Sequence, residues 1–494
     1  MSQGAAARNP LPRALRPFWD GNILIADGAM GTMLQQGGLP PGGCPEVWNL
    51  QRPDVVRRIH EAYIDAGARL IESNTFGATR LKMEAYELGD RVAEHTRAGV
   101  ELALAAAAGR AAVAVSIGPL GHLVEPLGEI SFARAQELFY EQTQAAAAAG
   151  AELAIIETML DLQETRAAIF ACREAGLDTI VQLTFNQDGR AFSGTEPEAA
   201  VVVLEALGAG VIGANCSLGP EGLRAVVERM ARVASVPVSV QANAGLPRLE
   251  DDRTIFPMDA PDYASWGPRL VEAGASIVGG CCGTTPGHIA GLARALAGCR
   301  LPGLSRRDER LPALALASRM KALFFFESNL PVVIGERINP TGRRRLSRDI
   351  QSGAMQLVRQ EARDQVAAGR PCWTSIAACP PSTRPRPWPG PSPWCRTPST
   401  CRWSSTPQGR TCWRRACAPL PARRWSTPSP GSRSVSSVCC RLPRATGRLC
   451  WDSRWTRRAC PRPRATGCAS PAIWSRRRRR SASPARTWSS TACA

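Results

Sequence analysis

Between residues 20 and 300 the chain repeats one alternation eight times, and this constrains its fold more than any other feature. Short apolar, β-branched runs appear at "NILIAD" (22–27), "RLIESNT" (69–75), "VAVSIG" (113–118) and "LAIIET" (153–158), then at "TIVQLTF" (179–185), "VIGANC" (211–216), "VPVSVQAN" (236–243) and "SIVGGCC" (276–282). Continuous apolar runs of this length suit parallel strands covered on both faces. The segments between them, such as "RPDVVRRIHEAYIDAGA" and "SFARAQELFYEQTQAAAAAGA", have helical periodicity and stop at Ala-Gly-Ala-like ends, where glycine accepts the left-handed cap. Eight strand–helix units in this length predict an α/β fold, a (β/α)8 TIM barrel. The alternative, a doubly wound open sheet, usually carries G-x-G-x-x-G after its first strand, and "DGAMGTML" is not that motif.

Charge separates the barrel region from the C-terminal tail. After residue 371 there are 24 arginines, no lysine and one acid, Asp452, a net charge of +23; the whole chain is +19, so the first 371 residues carry −4. The basic character belongs to the tail, and the body offers no electrostatic reason to expect nucleic acid. The opening residues lack an apolar signal-peptide core, and no run of about 18 apolar residues suggests a membrane span. Six scattered cysteines in the body suggest a reducing cytoplasm rather than a disulfide scaffold.

In a parallel barrel the strand C-termini open onto one face, where catalytic residues sit. Asp27, Asn74, Glu157, Cys216, Asn243, Cys281 and Cys282 all fall at those ends. Adjacent cysteines such as Cys281 and Cys282 make a poor disulfide. The sixth, seventh and eighth strands are neighbours, so Cys216 can meet the pair. Three thiolates on rigid strand ends suit Zn²⁺, and three ligands leave one tetrahedral position open, as in catalytic sites. Asn243 could fill that position weakly, and Gly279, Gly280 and Gly283 would let both adjacent thiols face one ion. No fourth protein ligand stands out; His288 lies in the following helix. A single buried cysteine is more often a small hydrophobe, which is the reading for Cys44, Cys172 and Cys299. Asp27, Asn74 and Glu157 could equally cap loops. His60, His95 and His122 read as surface or helix residues.

"DGAMGTML", "ESNTFGA", "IIETM", "GANCSLGP", "NAGLP" and "GGCCGTTP" occur in this order and together resemble the homocysteine S-methyltransferase family. The resemblance implies a zinc site of Cys216, Cys281 and Cys282, with homocysteine held near Asp27, Glu157 and Asn243. It implies methyl transfer to the homocysteine thiol, giving methionine. A free thiol has a pKa near ~8.5, and zinc coordination would ionise it.

The methyl donor is not fixed by these motifs. "IGERINPTG" (334–342) resembles the opening of the pterin-binding module in the cobalamin-dependent methionine synthase family, which implies methylcobalamin recharged by methyltetrahydrofolate. A sulfonium or betaine donor is the alternative. The organisation expected is a barrel over 15–300, a linker over 301–330, and a truncated pterin-module start over 331–371, with a strand and one helix near 349–369. A low-complexity tail covers 372–494. The tail is rich in Pro, Arg, Ser, Cys and Trp and has no apolar periodicity, so it is expected to be disordered. Its composition is what a wrong reading frame of GC-rich DNA yields. A rival reading makes the tail a nucleic-acid arm through "SRRRRRSASPAR" (475–486) on a non-enzymatic zinc module; the mildly acidic body does not match it. Neither a membrane nor a nucleic-acid partner is expected.

Overall fold

The computed structural model of the chain describes residues 10–19, 21–250, 253–300, 314–326 and 333–370, and two further short strands at 372–375 and 402–404. All eight expected runs become parallel strands: β1 (Leu24–Ile25), β2 (Leu70–Glu72), β3 (Ala112–Ile117), β4 (Leu153–Met159), β5 (Asp178–Leu183), β6 (Val211–Asn215), β7 (Val238–Ala242) and β8 (Ile277–Gly280). Neighbours pair in the order β1-β8-β7-β6-β5-β4-β3-β2. A parallel bridge between Ala26 and Leu70 draws the two ends of the sheet together. There the Arg69 N–H donates to the Ile25 carbonyl at 2.8 Å and the Asp27 N–H to the Leu70 carbonyl at 2.9 Å.

Alternation along the strands builds two cores. Inward positions Leu24, Ala26, Leu70, Ala112, Ala114, Leu153, Ile155, Ile180, Val211 and Ile277 fill the lower barrel. Leu15, on a short N-terminal 3-10 helix (Arg13–Phe18), joins this cluster with no exposed surface, so the N-terminal end of the barrel is stoppered by the chain's own entry segment. Outward positions such as Ile71, Val113, Val115, Ile156, Val181 and Val240 pack against the surrounding helices. The helices end as their sequences suggest: Gly67, Gly150 and Gly274 all take positive φ.

Toward the C-terminal ends the inward positions turn polar and become Glu72, Ser116, Glu157, Gln182, Ser239 and Gln241. They bond to one another across strands: Gln182 Nε2 reaches Ser239 Oγ (3.0 Å) and Gln241 Oε1 (2.7 Å). One glycine makes this layer possible. A Cβ on Gly213 in β6 would lie 2.2 Å from both the carbonyl oxygen and Oγ of Ser239 in β7. Gly213→Ala is therefore expected to force β6 and β7 apart and cost about 1–3 kcal/mol, read as a lower urea midpoint; an unchanged midpoint would mean the strands yield freely.

The region read as a linker contains an antiparallel hairpin, β9 (Leu314–Ala317) and β10 (Ala322–Phe325), folded back on the barrel. The Met320 carbonyl accepts from the Glu196 N–H (2.8 Å), and Arg319 pairs with Asp161 at the start of the helix after β4. Beyond it, β11 (Ile334–Ile338) is followed by two helices, Arg344–Gln351 and Gln356–Ala367, where the sequence suggested one. The break comes at Gly353 and Met355, both with positive φ. Strands β12 (Cys372–Ser375) and β13 (Arg402–Ser404) extend this sheet in parallel. Apart from these strands, the expectation of a disordered tail falls outside the described residues.

Candidate functional site

The sequence-identified thiols converge at the barrel mouth. Cys216 follows β6, and Cys281 and Cys282 follow β8. Their sulfurs all lie within 4.8 Å of one another, with Cys216–Cys282 at 3.8 Å and Cys281–Cys282 at 4.0 Å. The backbone bends for this in two ways. Cys216 (φ 60°) and Ser217 (φ 61°) both sit in the left-handed region, which side chains occupy at a cost and which persists only where neighbours hold it. Here the Cys216 N–H donates to the Gln241 carbonyl (3.0 Å), and the Leu218 carbonyl accepts from the Asn243 N–H (3.1 Å). On the other side Gly283 (φ 80°) supplies the turn after Cys282. Gly279 and Gly280, which the sequence reading also assigned to turning, serve close packing: a Cβ on Gly280 would lie 2.3 Å from Thr284 Oγ1. Tyr263 Oη, 2.9 Å from the Ala242 carbonyl and 2.8 Å from that of Gly279, ties β7 to β8 just below the pair.

Without a cation the three sulfurs share charge unequally. Hydrogen bonds from Cys281, then Cys282, push the Cys216 thiol well below its ordinary range. The same bonds to Cys216 hold Cys281 and Cys282 above theirs. Neighbouring thiolates repel one another, and a bound cation would offset that repulsion. Two buried oxygens nearby, Asp27 Oδ1 and Asn243 Oδ1, have no hydrogen-bond partner among the described residues. The three converging sulfurs fit a soft metal ion.

Beside the thiols lies a carboxyl cluster of Asp27, Glu72 and Glu157. Burial, and then mutual repulsion for Glu72, raises their proton affinities; burial leads for all three. Asp27 Oδ2 accepts from the Glu72 N–H (2.9 Å), and Glu72 Oε1 accepts from Gln241 Nε2 (2.7 Å). Glu157 accepts from Ser116 Oγ (2.5 Å) and Asn215 Nδ2 (3.0 Å). Buried carboxyls that resist ionising alone become a receptive place for an ammonium group.

The sequence reading missed Glu72 and Asn215. Glu72 shares its strand face with Leu70, a parity signal present in "LIES". Asn215 is a hub: its Oδ1 accepts from the Thr158 N–H (2.8 Å) while its Nδ2 reaches Glu157, locking β4 to β6 beside the thiols. Asn74 stays out of the mouth. Its amide donates to Asn49 Oδ1 and the Pro45 carbonyl, both at 2.8 Å, which is the loop-holding role. His288 caps its own helix through Thr285 and lies 3.1 Å from the Met258 carbonyl. His60 and His95 sit on helices but are buried rather than on the surface. Cys172 is core, with its thiol pushed up by burial.

This geometry defines a (β/α)8 barrel with a mouth lined by thiols and carboxyls. The homocysteine S-methyltransferase family profile matches residues 24–296, more than half of the chain, and the chain belongs to that family. It is 32% identical to a methionine synthase of Mycobacterium leprae over 368 residues, 70% of this chain and 30% of that protein. It is 33% identical to a methionine synthase of Mycobacterium tuberculosis, over 65% of this chain and 28% of that one. The chain thus spans under a third of the length of these relatives. Among solved structures, the metallated homocysteine methyltransferase MmuM from Escherichia coli shares the fold, with a TM-score of 0.50 and 24% identity over 57% of this chain and 99% of that one. No helix among the described residues is long and apolar enough to cross a membrane.

Proposed function

We propose that the barrel transfers a methyl group to the thiol of homocysteine, giving methionine, with zinc held by Cys216, Cys281 and Cys282. The observation that carries this is the convergence of three sulfurs within 4.8 Å at the mouth of a family barrel. Cys216, Cys281 and Cys282 would hold the zinc, whose charge would keep a homocysteine sulfur beside it ionised and nucleophilic at neutral pH. The chain's own residues do the rest. Asp27, Glu72 and Glu157 receive the substrate ammonium, Asn215 fixes Glu157 against β6, and Asn243 lines the side of Cys216. Such half-buried free thiols belong in a reducing compartment, the cytoplasm.

The donor reading is methylcobalamin, recharged by methyltetrahydrofolate. Its support is the extent of similarity to the methionine synthases. Seventy per cent of 494 residues is about 346, more than the 296 that end with the family match, so the likeness runs on into the "IGERINPTG" region. The test is an assay of the zinc-loaded chain with homocysteine and free methylcobalamin, S-methylmethionine or betaine in turn. Methionine is expected from methylcobalamin. Methionine from only a sulfonium or betaine donor would keep the barrel chemistry and overturn the donor.

A further inference from the structure

The end of β4 bends in a way its sequence does not favour. Glu157 is followed by Thr158 at φ 57°, in the left-handed region, where a β-branched residue is an outlier. Such a turn persists only where its surroundings hold it. Asn215 holds it from the barrel side: its Oδ1 accepts from the Thr158 N–H (2.8 Å), and its Nδ2 lies 3.0 Å from Thr158 Oγ1. The next carbonyl, that of Met159, accepts from the Thr184 N–H (2.9 Å) in the loop after β5. Asp161 closes the turn. It is buried, and its Oδ2 accepts from the N–H groups of Gln163 (3.1 Å) and Glu164 (3.4 Å), capping the helix Leu162–Glu174. Its other oxygen, Oδ1, pairs with Arg319.

Arg319 comes from beyond the family profile, which stops at residue 296. It stands at the tip of the β9–β10 hairpin, and the tip closes on itself: the Ser318 N–H donates to the Lys321 carbonyl (2.8 Å), and the Lys321 N–H donates to Ser318 Oγ (3.0 Å). This tip is seated on the loop after β5. Thr195 Oγ1 donates to the Arg319 carbonyl (2.8 Å), the Glu196 N–H donates to that of Met320 (2.8 Å), and a Cβ on Gly194 would lie 2.9 Å from Met320 Cε. Arg319 Nε and Nη1 are buried without a partner among the described residues, so its charge is met by Asp161. Removing one member of a buried pair strands the other charge.

We propose that Arg319 is a positioning residue for the methyl transfer. Its pair with Asp161 clamps the strained turn from outside, as Asn215 does from inside, and so aims Glu157 at the substrate. The functional edge of the barrel then lies at the end of the hairpin, Phe325, and not near residue 300. The inference rests on the homocysteine reading and on Glu157 facing the substrate ammonium.

The test is titration calorimetry of the full zinc-loaded chain with homocysteine and with 4-mercaptobutyrate, which lacks only the ammonium group. Arg319→Met is expected to weaken homocysteine about 3–10-fold, since small misplacements of a binding group are costly. It should leave 4-mercaptobutyrate within about twofold of wild type and zinc one-to-one, because Arg319 acts through Glu157 alone. Asp161→Asn should do the same, as asparagine keeps the helix cap and loses the charge; it carries the test if Arg319→Met fails to fold. The double variant should be no weaker than the worse single one. Only Nη2 reaches Asp161, so Arg319→Lys should stay within about twofold of wild type. Unchanged homocysteine affinity in Arg319→Met and Asp161→Asn overturns the proposal. Equal weakening of both ligands does so too, by making Arg319 a scaffold residue, and additive losses in the double variant would mean that it does not act through Asp161. Wild-type protein that binds no homocysteine overturns the homocysteine reading, and Arg319 with it.

Discussion

Alanine at Cys216, Cys281 or Cys282 is expected to strip zinc from the chain while leaving the barrel folded. Removing even a partner of a metal ligand costs about 10–100-fold in metal affinity, so removing one of three ligands should exceed about 100-fold. Methionine formation should fall at least as far, because an uncoordinated thiol with a pKa near ~8.5 is only a few per cent ionised at neutral pH. The fold should survive because all three side chains are half-buried at the strand ends, outside both cores. Alanine is the right replacement at Cys216. With φ at 60°, glycine would also relieve the backbone and confound the result, whereas alanine keeps the same restriction. Cys172→Ala is the control: that thiol is fully buried in the helix after β4, so zinc should stay bound while stability drops. Metal analysis of the purified variants reads the outcome. One-to-one zinc in any of the three would remove that residue from the site.

The barrel was legible because its signals are local and redundant. Each of the eight apolar runs marks a strand by itself, and each glycine after a helix marks a cap. The thiol site was legible for a related reason: strand order alone makes the ends of β6, β7 and β8 neighbours, so "GANC" and "GGCC" meet without any side-chain detail. The features that stayed hidden depend on which way a side chain leaves the backbone near a strand end. Asn74 and Glu72 are two residues apart at the end of β2; parity with Leu70 could have placed Glu72 in the carboxyl cluster, but only the folded turn shows that Asn74 faces Asn49 instead. Asn215 was overlooked beside Cys216 because its work, bonding β4 to β6, is a long-range contact that no spacing announces. The hairpin over 314–325 was read as linker because its strands are four residues each and one face is left to solvent, too short a pattern for alternation to register.

Glu157→Gln is expected to weaken homocysteine binding about 5–30-fold while leaving zinc stoichiometric, the difference between a charge-assisted and a neutral hydrogen bond to the ammonium. The substitution is conservative for a stated geometric reason. Asn215 cannot flip, because its Oδ1 is held by the Thr158 N–H, so its Nδ2 must go on donating toward residue 157. The glutamine carbonyl can take that bond, and its amide group then faces Ser116 Oγ, which can rotate to accept. The hydrogen bonds survive and the charge does not. Asp27 and Glu72 remain beside it, which is why the expected loss is partial rather than complete. A ligand without the ammonium group, 4-mercaptobutyrate, should bind Glu157→Gln and wild-type protein alike. Homocysteine affinity that does not change would remove Glu157 from the substrate site.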